Sequence, residues 1–270
     1  MNGDLPGPLI VGHRGASAHA PENTLAAFRK AIADGAEGLE FDVRLSRDRV
    51  PVVIHDETLI RTANLNSFVS DLTSAELASI DVGSWFRERQ PGGLISDFSG
   101  EGIPTLAETL EQLDRFRGLF FIELKCGDCD LESLTDAVCA VVERSSLMPQ
   151  IIVKSFRLAV IPRVRMRAPG VRTAALFAPK IMTILRKEKH LVQIAKEFGA
   201  DELSVHYSLA TAKLMEKAGE HNFPVSIWTA DNPRWVKRGT RLGLKSIITN
   251  DPARLLARRA ELGASRPFEM

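Results

Sequence analysis

Nine short apolar stretches, most of them separated by segments of helical period, constrain this chain more than any other feature. They are LIVGH (9–13), GLEFDVRLS (38–46), VPVVIHD (50–56), LFFIELK (119–125), IIVKSF (151–156), RTAALF (172–177), ELSVHY (202–207), VSIWTA (225–230) and SIITND (246–251). Too short for helices and rich in Val, Ile and Phe, they read as strands alternating with helices around a parallel sheet. Nine is one more than a (β/α)8 barrel uses. The second and third stretches are separated only by Arg47, Asp48 and Arg49, whereas parallel neighbours need a crossover of roughly a dozen residues. These two therefore pair as an antiparallel hairpin, and VPVVIHD falls outside the barrel order. The eight that remain, in a chain of 270 residues, predict the α/β class and a TIM (β/α)8 barrel as one domain over 1–270.

The helix signals agree with this count. Asn23 or Thr24 caps a helix whose Leu25, Phe28 and Ile32 share a face, and Gly35 suits its C-terminal stop. Asp231-Asn232 before Pro233, and Asp251 before Pro252, read as capping residues followed by proline in the first helical position. The span 57–104 is too long for a plain loop. A capping box at Thr73 and Glu76 opens a short helix in it, and Gly92, Gly93, Gly100 and Gly102 follow. It predicts a small subdomain inserted after the second strand and lying over one end of the barrel. The residues after Gly263 read as a frayed tail.

In a barrel of this kind the C-terminal ends of the strands build the site, and the charged residues of this chain collect there. Glu40 and Asp42 are two apart on a strand and so share a face. Glu123 and Lys125 repeat the spacing on the next barrel strand. His13 and Arg14 end the first strand, and His55 ends the hairpin beside the second. Three carboxylates packed together repel one another unless a cation relieves them. An all-oxygen set suits a hard divalent ion, Mg²⁺ or Ca²⁺, better than zinc. Arg14 and Lys125 then offer positive charge to a phosphate, and His13 and His55 supply an acid and a base near neutral pH. This is the equipment of metal-assisted phosphodiester cleavage.

Each piece also has a bland reading. An ExD pair on a strand is usually a solvated face, but Leu39, Phe41 and Val43 fill the opposite parity and imply burial on both sides. His19, His190 and His221 read as structural histidines. His206 and Trp228 each end a barrel strand, where the tryptophan packs in the core or against an apolar part of a substrate. Cys126 and Cys129 form a CGDC without a second metal-spaced pair or a thioredoxin-like context, so they read as reduced thiols in a loop. With 35 basic and 34 acidic residues, nothing points to nucleic acid or an anionic membrane. No signal-like or membrane-spanning run occurs, which predicts a cytoplasmic protein without a membrane anchor.

The motifs HRG (13–15), APENT (20–24), GLEFDVRLS (38–46), VPVVIHDETL (50–59), IPTLAE (103–108), IELK (122–125), SF (155–156), WTADNP (228–233) and IITNDP (247–252) occur in one order over nearly the whole chain. Together they resemble the glycerophosphodiester phosphodiesterases. The resemblance implies a TIM barrel with an inserted subdomain that hydrolyses small-molecule glycerophosphodiesters to sn-glycerol 3-phosphate and an alcohol. It implies metal carboxylates at Glu40, Asp42 and Glu123, acid/base histidines at His13 and His55, and phosphate contacts at Arg14 and Lys125. In the family a glycerol hydroxyl attacks phosphorus and water opens the resulting cyclic phosphate. Which histidine is the base is not assigned by the sequence. This chain departs from the family pattern at IRTANLNSFV (60–69), which lacks the usual glycines, and at its CGDC. Two alternatives stay open: a lysophospholipase D or phospholipase-type phosphodiesterase on the same barrel, and a non-catalytic binding protein. The oligomeric state is not legible.

Overall fold

The strand-forming stretches assemble, in a computed structural model that describes residues 7–86, 97–180 and 188–264, into one closed sheet. Its strands are β1 (Leu9–His13), β2 (Gly38–Leu45), β3 (Pro51–Val53), β4 (Leu119–Leu124), β5 (Ile151–Ser155), β6 (Arg172–Phe177), β7 (Glu202–His206), β8 (Val225–Trp228) and β9 (Ser246–Thr249). The order is β1-β9-β8-β7-β6-β5-β4-β2-β3, and β1 also pairs with β2, which closes eight parallel strands into a barrel. β3 stands outside that ring, antiparallel to β2 with Val43 opposite Val53. The connection over 46–50 is too short for a parallel crossover.

Two layers of apolar side chains follow from the period of two. Outward-facing Phe41 packs on Phe28 of the first helix, Leu25–Ala33, with ring centroids 5.3 Å apart. Inside the barrel Val11, Phe121, Ile152, Ala174 and Ile248 pack together as a plug. Residues two positions further along those strands form the next layer, and they include His13, Glu123 and Lys154. Asn250, two residues past Ile248 and just beyond β9, completes that layer.

Thr24 caps the first helix, its hydroxyl accepting from the Ala27 N–H. Asn23 is thereby free for another task, described below. Gly15 has φ +84, and a Cβ there would stand 2.5 Å from the Ala27 carbonyl carbon, so the turn out of β1 requires glycine. Between β3 and the helix Leu106–Gln112, the capping box of Thr73 and Glu76 opens the helix Ser74–Ala78. That segment adds Leu59, Val69, Leu77, Val82 and Ile103 to Val52 and Ile54 in an apolar cluster of its own. Gly92, Gly93 and the tail after Ala264 lie outside the described residues. Pro252 begins the last helix, Pro252–Ala264, with Asp251 accepting from the Arg254 N–H. Pro233 instead occupies the capping position of the helix Arg234–Leu242. Asp231 is engaged by Asn250, while Asn232 Oδ1 accepts the Arg234 N–H at 3.0 Å.

Candidate active site

The mouth of the barrel is built by the residues just beyond the apolar plug. Glu40, Asp42 and Glu123 are all buried, and a ligand oxygen from each lies within 4.8 Å of the others. Buried carboxylates this close need cations. Lys125 Nζ lies 3.2 Å from Asp42 and 2.5 Å from Glu123. Arg14 Nε is 3.0 Å from Asp42, and its Nη1 is 2.8 Å from Glu22. Lys154 Nζ is 2.9 Å from Glu40.

Two non-glycine residues hold left-handed backbone here, Arg14 at φ +54 and Asn23 at φ +59. Such backbone persists where surrounding contacts over-determine it. Asn23 donates to Asp42 Oδ2 at 3.0 Å and accepts the Asp42 N–H at 3.2 Å. The Arg14 N–H donates to Glu40 at 3.2 Å. Arg14 is bound to the carboxylate strand by backbone and side chain, and Asn23 by its side chain, its own N–H donating to the Arg14 carbonyl at 3.1 Å.

The electrostatics are uneven across the cluster. Burial pushes the Asp42 carboxyl up, but Lys125 and Arg14 more than reverse this and hold it well below the usual carboxylate range. Burial and the Asp42 charge push Glu123 the other way, up to about 7, despite Lys125. Burial lowers His55, with Arg14 and Lys125 adding to it, against the opposing pull of Asp42 and Asp56. His55 is therefore mostly neutral at pH 7.

Both histidines are held through Nδ1. His13 Nδ1 lies 2.7 Å from Asn250 Oδ1, and His55 Nδ1 lies 2.7 Å from Asp56 Oδ1. Neither oxygen can donate, so in each ring Nδ1 carries the hydrogen and Nε2 is left for chemistry. Asp231 fixes Asn250, accepting from its N–H and its Nδ2, each at 2.8 Å. Arg61 fixes Asp56, donating from Nε to Oδ2 at 2.6 Å, and also donates to Glu22. His13 Nε2 stands 3.8 Å from Glu40.

The structure thus brings His13, Arg14, Glu40, Asp42, His55, Glu123 and Lys125 to one rim. Trp228 sits further round it at the end of β8, its ring against Phe156 and His206 at 5.5 and 5.4 Å. Its buried indole N–H has no acceptor among the described residues. His206 bonds Ser208 and stacks on Tyr207, away from the carboxylates. His19 lies 3.4 Å from Asp251. Sequence reasoning missed Lys154, Asn250 and the orienting role of Asp231. The parity that places the plug residues one layer below them was the available signal.

Two cavities flank the cluster. One, of about 510 Å³, is lined by His13, Arg14, Ser17, Asp231 and Asn250 among others. The second, of about 470 Å³, reaches from Glu123 and Lys125 past Cys126, Cys129 and Phe156 to Glu57 and Val69.

A closed (β/α)8 barrel whose rim joins three carboxylates, two anchored histidines and two cations beside open cavities belongs to the class of phosphodiester-cleaving barrels. The chain belongs to the glycerophosphoryl diester phosphodiesterase family, whose model matches residues 13–254. It is similar to a glycerophosphodiester phosphodiesterase of Caldanaerobacter subterraneus subsp. tengcongensis, with 32% identity over 92% of this chain and 96% of that one. The glycerophosphodiester phosphodiesterase structure from Thermotoga maritima superimposes with a TM-score of 0.72 at 26% identity, covering 94% of this chain and 99% of that one. An Oleispira antarctica phosphodiesterase, in complex with the product sn-glycerol-3-phosphate, shares the fold with a TM-score of 0.81 at 24% identity, covering 93% and 96%.

Proposed function

We propose that the chain is a metal-dependent phosphodiesterase that hydrolyses glycerophosphodiesters to sn-glycerol 3-phosphate and an alcohol. The convergence of Glu40, Asp42 and Glu123 beside two Nδ1-anchored histidines carries this reading. Family membership and the product held by the Oleispira relative support it.

An all-carboxylate, buried donor set fits a hard divalent ion, Mg²⁺ or Ca²⁺, held by Glu40, Asp42 and Glu123. Such an ion, when bound, supplies charge that neutralises and orients a phosphate oxygen. Arg14 and Lys125 turn from the carboxylates toward the remaining phosphate oxygens. His55, neutral and backed by Asp56, takes the proton of the attacking glycerol hydroxyl through Nε2. His13, its ring fixed through Nδ1 by Asn250, acts as the acid in the form that carries a second proton on Nε2, and passes that proton to the departing alcohol. For opening of the cyclic phosphate by water the two histidines exchange roles. Trp228, half-buried at the end of β8, offers part of its ring as an apolar contact for the substrate.

The insertion 57–104 is read as a subdomain within a single catalytic domain over 1–270, and of its described residues Glu57, Val69 and Ser70 line the second cavity. Incubation with glycerophosphocholine or glycerophosphoethanolamine, with release of sn-glycerol 3-phosphate followed by a coupled assay, tests the reading. Absence of product with Mg²⁺ and with Ca²⁺ refutes it.

A further inference from the structure

A lysine lies beside the carboxylates, in the same layer as Glu123, and the chemistry above does not use it. Lys154 is only 1% exposed and ranks with Phe28, Phe41, Phe120 and Phe121 among the largest fully buried side chains. It is opposite Glu123 in the β4–β5 register and two residues beyond Ile152 of the plug. Its ammonium reaches past β4 to Glu40 Oε1 on β2, 2.9 Å away.

The three cations of the cluster differ in what they are free to do. The side chains of Arg14 and Lys125 are 18% and 15% exposed and border the two cavities. Each can exchange a carboxylate for a phosphate oxygen without leaving water altogether. The Lys154 side chain is 2% exposed and borders neither cavity. Moving its ammonium away from Glu40 would leave two unpaired charges in a closed interior, which is strongly unfavourable.

We infer that Lys154 is a fixed resident cation that sets the charge of the metal site and thereby limits its affinity for a divalent ion. This rests on the metal-dependent reading above. Glu40, Asp42 and Glu123 as carboxylates carry three negative charges, and Lys154 permanently cancels one. A divalent ion cancels the other two, so the loaded floor is neutral, and Arg14 and Lys125 remain for the phosphodiester anion. Without Lys154 the loaded floor keeps a negative charge facing the phosphate, while the ion itself is held more tightly. Ligand charge count tunes divalent-ion affinity in oxygen sites in this way. Lys154 is accordingly a positioning and charge-setting residue that trades ion affinity for anion binding.

Calorimetric titration of Ca²⁺ and of Mg²⁺ into the chelator-stripped full chain tests this directly, in wild type, Lys154→Met and Lys154→Arg. Lys154→Met is expected to bind the ion about tenfold or more tightly, and Lys154→Arg, which keeps the charge, to match wild type. Titration of sn-glycerol 3-phosphate into the ion-loaded proteins is expected to show weaker binding in Lys154→Met alone. Unchanged or weaker ion binding by folded Lys154→Met overturns the inference, as does tighter binding by Lys154→Arg. If Lys154→Met unfolds when stripped, its melting must recover in Ca²⁺ by a larger shift than wild type shows; failure to recover also overturns it. No ion binding by wild type refutes the metal-dependent reading itself, so the two failures are told apart by the wild-type titration.

Discussion

The Nδ1 atom of His13 lies 2.7 Å from Oδ1 of Asn250, so the first strand of the barrel and the residue just past the last one are locked together at the site. Asn250 is an acceptor without charge, whereas His55 leans on the carboxylate of Asp56. Replacing Asn250 by Ala removes the acceptor that holds the His13 ring and leaves Asp231 without the Nδ2 donor. Asn250→Ala is therefore expected to lower kcat, by less than the ~10²-fold loss that removal of the imidazole itself brings, with a smaller change in KM. Steady-state kinetics of Asn250→Ala against wild type checks this; an unchanged kcat contradicts the orienting role.

Removing either imidazole removes a proton-transfer group. His13→Ala and His55→Ala are each expected to lower kcat by about 10²-fold or more with circular dichroism unchanged. Asp56→Asn is expected to reduce kcat with a smaller effect on KM, because it disturbs the partner of His55 and not a group that contacts substrate. Steady-state kinetics on glycerophosphocholine separates these outcomes, and near wild-type rates in His55→Ala would rule out the base assignment.

Glu123 couples metal binding to pH. Its carboxyl is pushed up to about 7 from an ordinary 4.5, so between those values the native state holds a proton that the unfolded chain has lost. The stability this group gives the stripped protein is fully present below 4.5 and is lost as pH rises through about 7. A bound divalent ion needs the carboxylate, so the gain in melting temperature on adding Ca²⁺ grows as pH rises from about 5 to about 7.5. Thermal melts with and without the ion at both pH values test the sign; a larger gain at the acid end contradicts it.

The outer layer that carries the carboxylate strand is predicted to dominate stability. Phe41 is fully buried between Phe28 and Phe120, with its neighbours Glu40 and Asp42 facing the opposite side. Phe41→Ala is expected to cost about 3–5 kcal/mol, read from denaturant unfolding of the stripped protein. A loss below about 1 kcal/mol would mean that the β2 core relaxes around the cavity.

The barrel was legible because one local constraint, the connection between β2 and β3 being too short for a parallel crossover, reduced nine strands to eight. The charged rim was legible where charges repeat at a spacing of two, as in Glu40 and Asp42 or Glu123 and Lys125. Lys154 was not, because a single lysine in IIVKSF reads equally as the solvated end of a strand; only its pairing opposite Glu123 turns it inward. Asp231 carried a competing signal. Its position before Asn232-Pro233 reads as a helix cap, and only the return of β9 supplies the Asn250 amide that claims it. The same competition at Asn23 and Thr24 was resolved by Asp42, which takes the asparagine and leaves the cap to the threonine.

The central claim is that the carboxylate cluster and the two anchored histidines hydrolyse a glycerophosphodiester with the help of a divalent ion. The most direct measurement is release of sn-glycerol 3-phosphate from glycerophosphoethanolamine by the full chain before and after EDTA, then after added Mg²⁺ or Ca²⁺. The account predicts turnover that EDTA abolishes and that one of the two ions restores, with no restoration in Glu40→Gln. Turnover that persists unchanged through chelation, or in Glu40→Gln, would contradict it.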